Sequence, residues 1–112
     1  MSAILLNSQA DAVTAALGNG NDAIVTVSVL AADGTIGTGL GIGDFTVYTR
    51  VQAPGGAGLQ INNVLEGGDP GFYNIHLIPM GGTNWQNGTY IVGIKVERGR
   101  KIGFTVAKFE VT

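Results

Sequence analysis

Along most of the chain, apolar and polar side chains alternate with a period of two, the pattern of strands buried on one face. In Ala23-Ile24-Val25-Thr26-Val27-Ser28-Val29-Leu30, the three valines share one side, and Thr26 and Ser28 the other. Ala32-Asp33-Gly34-Thr35 then supplies turn chemistry. Phe45, Val47, Thr49 and Val51 alternate with Thr46, Tyr48 and Arg50 as far as Pro54-Gly55-Gly56. Leu59, Ile61 and Val64 mark a shorter strand that stops at Gly67-Gly68-Asp69-Pro70-Gly71. Tyr73, Ile75 and Leu77 alternate with Phe72, Asn74 and His76 until Pro79, which has no N–H for a ladder. Tyr90, Val92, Ile94 and Val96 form the clearest inward stripe. Arg98-Gly99-Arg100 turns the chain, and Thr105, Ala107, Phe109 and Val111 bring it back.

These six strands, with a further N-terminal one over residues 3–6, predict an all-β sandwich of about seven antiparallel strands. The predicted core is Val25, Val27, Val29, Phe45, Val47, Ile61, Tyr73, Ile75, Leu77, Tyr90, Val92, Ile94, Val96, Ala107 and Phe109. Residues 8–18 stay open between two readings. Ser8 and Asp11 fit a capping box, with Gly18 closing a short helix; the flanking strands favour an extended edge segment. The glycine-rich stretch over residues 34–43 reads as a loop. No repeat or linker divides the chain, so residues 1–112 are read as a single domain.

Composition narrows the chemistry. The chain has no Cys and one His, which excludes disulfides, thiolate sites and a zinc site built on several histidines. Its six Lys and Arg residues form no dense run, and the net charge is −2, so nucleic acid is not an expected partner. No apolar run is long enough to span a bilayer, and no membrane insertion is expected. Met1-Ser2-Ala3-Ile4-Leu5-Leu6 lacks the basic region of a secretory signal. The expectation is a chain made in the cytoplasm, with incorporation into a virion or surface assembly left open.

Several ordered segments resemble bacterial immunoglobulin-like domains of the invasin and intimin type. The segments are Asn19-Gly20-Asn21-Asp22 leading into the Val25 strand, Asp33-Gly34-Thr35 followed by Thr38-Gly39-Leu40, Asp44-Phe45-Thr46-Val47, Pro70-Gly71-Phe72-Tyr73, Trp85 with Gly88-Thr89-Tyr90, and Phe109-Glu110-Val111. Ala31 stands where that family often has Asp, and Ile36 where it often has Pro. The likeness spans nearly the whole chain and implies an immunoglobulin-like β-sandwich. It also implies a non-catalytic module that assembles with protein partners in a virion, filament or cell-surface assembly.

Each reactive group has a plain structural reading beside a functional one. His76 falls out of phase with the inward stripe and is expected to face solvent or a partner; no nearby nucleophile or carboxylate makes it a catalytic base. The eight scattered carboxylates show no spacing that asks for a glycosidase pair, and no enzyme is expected. Asn19, Asn21, Asp22 and Asp33 suit turns better than calcium, and no metal or cofactor is expected. Residues 37–43 lack the Gly-Lys-Ser/Thr of a phosphate loop. Asn87-Gly88-Thr89 reads as a turn rather than a glycosylation site.

Three groups stand as candidate contact sites. Trp85 either plugs one end of the sandwich or forms an exposed platform for a glycan, with Asn84, Gln86 and Asn87 as hydrogen-bonding neighbours. Arg98, Arg100 and Lys101, with Lys95 and Lys108 near them, gather five of the six positive charges and offer a polar hairpin for assembly. Ile4, Leu5 and Leu6 form an apolar end strand able to pair with a neighbour's open edge. Charged residues are only 12% of the chain, which favours a surface partly covered by other copies or another protein.

Overall fold

The structure, a computed structural model, describes residues 4–10, 22–31, 34, 36–99 and 101–111. It holds β1 (Ile4–Ala10), β2 (Ala23–Ala31), β3 (Phe45–Val51), β4 (Leu59–Glu66), β5 (Phe72–Pro79), β6 (Gly88–Arg98) and β7 (Lys101–Val111), with 3-10 turns at Ile42–Asp44 and Met80–Gly82. Among the described residues, these pair into an antiparallel four-stranded sheet ordered β1-β2-β5-β4 and a three-stranded sheet ordered β3-β6-β7.

Period-two patterning positions β2, β5 and β6. In β2, buried and half-buried residues alternate from Ala23 to Ala31 without a break. The same phase in β5 and β6 turns Tyr73, Ile75, Leu77, Tyr90, Val92, Ile94 and Val96 inward, where each is at most 1% exposed. Val47 and Ile61, predicted as core, are partly buried and pack against it from the sandwich rim. Ala23, Ala31, Ala53, Leu59, Trp85 and Val111 extend the buried set beyond the predicted one. One bond ties the sheets together at the β3–β4 side, and another extends the β4–β5 ladder. The Leu59 N–H donates to Thr49 Oγ1 at 2.8 Å, and the Met80 N–H donates to the Gly58 carbonyl at 2.9 Å.

The β6–β7 hairpin closes through two residues between Arg98 and Lys101, with Gly99 at φ +61°. That left-handed conformation suits a tight turn whose twist matches the flanking strands. At the N-terminal end, β1 is longer than predicted and pairs with β2 from Ile4↔Ala31 to Ala10↔Val25. Residues 8–10, where the helical alternative would begin, are therefore extended; residues 11–18 lie outside the described residues.

Candidate interaction surface

The two ends of the sandwich are occupied by aromatic packing and loop anchoring. At one end Trp85 is 1% exposed. Its ring meets Tyr90 edge-on at 5.2 Å and Phe109 at 5.9 Å, while Tyr90 and Phe109 stack at 5.5 Å. The Tyr90 hydroxyl accepts from the Gln86 N–H at 3.2 Å, which fastens the loop over the plug. Trp85 as an exposed glycan platform is corrected by this packing. Its loop folds inward, and the indole packs edge-on against the stacked pair of Tyr90 and Phe109. Asn84, Gln86 and Asn87 remain exposed around it, without an aromatic face to stack on.

At the other end, three strands hold the glycine-rich loop by its backbone. The Tyr73 hydroxyl donates to the Gly37 carbonyl at 2.8 Å and accepts from the Leu40 N–H at 3.1 Å. Glu66 accepts from the Gly39 N–H at 3.3 Å and the Gly71 N–H at 3.1 Å. Arg98 Nη1 donates to the Gly39 carbonyl at 2.9 Å. The Gly71 and Gly39 amides hold the Glu66 carboxyl below its ordinary pKa, and burial pushes the Tyr73 hydroxyl up. An open groove of about 360 Å³ lies beside this loop, floored by Val29, Ala31, Ile36 and Leu40 and rimmed by Arg98 and Lys101.

The cationic hairpin lies among acidic groups. Glu66 grips the same glycine as Arg98, Lys95 Nζ lies 3.6 Å from Glu97 Oε1, and Asp44 caps the nearby Gly41 N–H. Folding brings Glu66 and Asp44 to the hairpin's own end, beside Glu97 of β6. Arg98 and Lys101 are exposed; Arg100 lies outside the described residues. The Ile4-Leu5-Leu6 segment lies in β1, whose backbone pairs with β2 along one side and which stands at the end of the four-stranded sheet.

His76 is half-buried, and its Nδ1 lies 3.1 Å from Asp22 Oδ2, which also accepts from Asn62 Nδ2 at 3.2 Å. The fold thus supplies an orienting carboxylate that the local sequence lacks, and it fastens the residue before β2 to β5. Asn19, Asn21 and Asp33 lie outside the described residues. Among the described residues, no group of three or more His, Cys, Asp or Glu side chains sits together as a metal site. Among them, too, no helix is long and apolar enough to cross a membrane.

Among the described residues, exposed large apolar side chains gather on the outer face of β3-β6-β7, while Leu65 and Phe72 stand exposed on the other sheet. Tyr48, Ile102, Phe104 and Val106 project from the β3-β6-β7 face at 44%, 39%, 46% and 49% exposure. The register sets Tyr48, Gly93 and Val106 in one row across the three strands, with Thr46, Lys95 and Phe104 in the next. The Phe104 and Tyr48 rings lie 6.2 Å apart, and the Arg50 guanidinium sits 5.5 Å from the Phe104 ring centroid. Sequence reasoning passed over this face because it followed only the inward phase. The available signal was β7, where the outward phase Ile102, Phe104, Val106 is as apolar as the inward one. Comparison with family models, with curated proteins and with solved structures finds no match.

Proposed function

We propose that this chain is an immunoglobulin-like module that acts by protein contact, without catalysis, inside a larger virion, filament or cell-surface assembly. The observation that carries the reading is the aromatic and aliphatic outer face of β3-β6-β7. A monomer rarely leaves such a contiguous patch uncovered unless it is an interaction site. Support for the fold name comes from the strand order, since a four-stranded sheet β1-β2-β5-β4 facing β3-β6-β7 is the constant-type immunoglobulin arrangement. It agrees with the ordered motifs that resemble invasin- and intimin-type domains. Support for the non-catalytic part comes from the polar groups themselves. His76, Asp22, Glu66 and Tyr73 are engaged in fastening strands and loops.

The test is a single reporter at the patch rim. Thr46 is exposed on the outer face, and the chain has no Cys, so Thr46→Cys takes one environment-sensitive dye. The expected result is a blue shift when an extract of the source cell is added. Val106→Glu in the labelled chain should abolish the shift. An unmoved spectrum both in extract and in excess unlabelled chain would remove the reading.

A further inference from the structure

The geometry points to a second copy of this chain as the occupant of the β3-β6-β7 outer face, packed face to face about a twofold axis. The inference deepens the protein-contact reading and rests on it. The area suits such a pair. Strands spaced ~4.8 Å apart and rising ~3.4 Å per residue give three strands a flat footprint of about 500 Å². Side-chain relief brings the accessible surface to the ~600 Å² per partner at which specific interfaces begin.

Charge also suits it. The outward positions carry Arg50, Lys95 and Lys108 against Glu97 and Glu110, placed toward the two ends of the face. A rim so nearly balanced meets its own copy without a repelling field of one sign. The same positions select the axis. An axis along β6 would stack Lys95 on Lys95 and Glu97 on Glu97, which like charges disfavour. An axis across the strands, through the Tyr48–Gly93–Val106 row, sets Lys95 over Ile91, Phe104 over the aliphatic stem of Lys108, Ile102 over Glu110 and Glu97 over Thr89, so no like charges face each other. It also brings Val106 against its counterpart in the copy.

The anchor is already in place. The Phe104 ring rests over Gly93 with Arg50 beside it, so little freedom is lost when a flat partner covers it. The pair is isologous, so one patch serves both copies and closes the assembly at two through this face.

The experiment uses the native chain in sedimentation equilibrium from about 10 μM to about 1 mM, a span matched to micromolar dissociation constants. Twice the monomer mass is expected, with dissociation on dilution. Val106→Glu and Phe104→Ser should each raise Kd at least about tenfold with an unchanged circular dichroism spectrum. On oxidation, Val106→Cys should form a disulfide-linked pair, whereas Gln60→Cys on the other sheet should stay unlinked. A monomer across the whole range, a dimer that both face variants leave intact, or equal cross-linking of the two cysteines would overturn the inference. If the native chain is monomeric but the Thr46 reporter still responds to extract, only the second copy is rejected. If the reporter is silent throughout, the protein-contact reading falls with it.

Discussion

The Phe104 ring lies directly over Gly93 of the neighbouring strand; a Cβ placed on Gly93 would stand 2.8 Å from the ring's Cζ and 3.1 Å from Arg50 Nε. A glycine inside a strand weakens it, so this one is explained by the close approach it permits. Both crowding atoms are far ends of side chains on an open face, and they can move aside. Gly93→Ala should therefore fold, with a melting temperature within a few degrees of the native chain's, since a shift of about 1 kcal/mol moves such a domain by ~4–8 °C. Phe104 should leave its seat, and the proposed self-association should weaken about tenfold, the equivalent of ~1.4 kcal/mol. Light scattering across a concentration series reads the second effect independently of the first. Unchanged association with a displaced ring would show that the seat does not matter.

Trp85 is the chain's one tryptophan, and its burial makes it an internal reporter. Its emission should lie at short wavelength and resist acrylamide quenching in the native state. Trp85→Ala removes a ring in contact with both Tyr90 and Phe109, so a loss of ~3–5 kcal/mol is expected in urea unfolding. A readily quenched tryptophan, or a variant with native stability, would return the side chain to the surface.

Tyr73 joins the core to the glycine-rich loop through one oxygen atom. Tyr73→Phe keeps the ring against Phe45, 5.4 Å away, but strips the bonds to Gly37 and Leu40. Leaving those partners without the hydroxyl should cost about 1–3 kcal/mol. Hydrogen exchange adds a local reading, because the Leu40 amide should lose protection while the β6 amides that pair with β7 keep theirs. Equal changes at both places would mean that the hydroxyl supports the whole sandwich rather than the loop.

How far the sequence disclosed all this depended on the range of each interaction. Val25, Val27 and Val29 declared their strand because burial repeats every second residue there, and Tyr90 to Val96 did the same. Trp85 sits in a loop, where no period distinguishes a plug from a platform, so only packing against Phe109 decided it. Ala53 closes the core from a turn position that carries no periodic signal, and Leu59 from the first residue of β4. The Asp22–His76 contact spans 54 residues and the Glu66–Gly39 bond 27, and neither leaves a local trace. The outer face could be read in Ile102, Phe104 and Val106, but its extent could not. Tyr48 joins it only through the β3–β6–β7 register.

Glu66 and Arg98 hold the two sides of Gly39, the acid accepting from its N–H and the base donating to its carbonyl. Protonation would remove the charge that the Gly71 and Gly39 amides favour, which is why the carboxyl titrates below its ordinary value of about 4.5. A depressed folded-state pKa gives stabilisation that is present above the unfolded-state value and lost as pH falls through the folded-state one. Glu66→Gln should therefore be less stable than the native chain at neutral pH. The gap should hold down to roughly pH 4.5 and close below it, as the native carboxyl takes up its proton in turn. Parallel urea titrations of the two proteins from neutral to acid pH measure the gap directly. A difference that stays constant to the acid limit would mean that the lost contact, rather than the charge, is what Glu66 contributes to the loop.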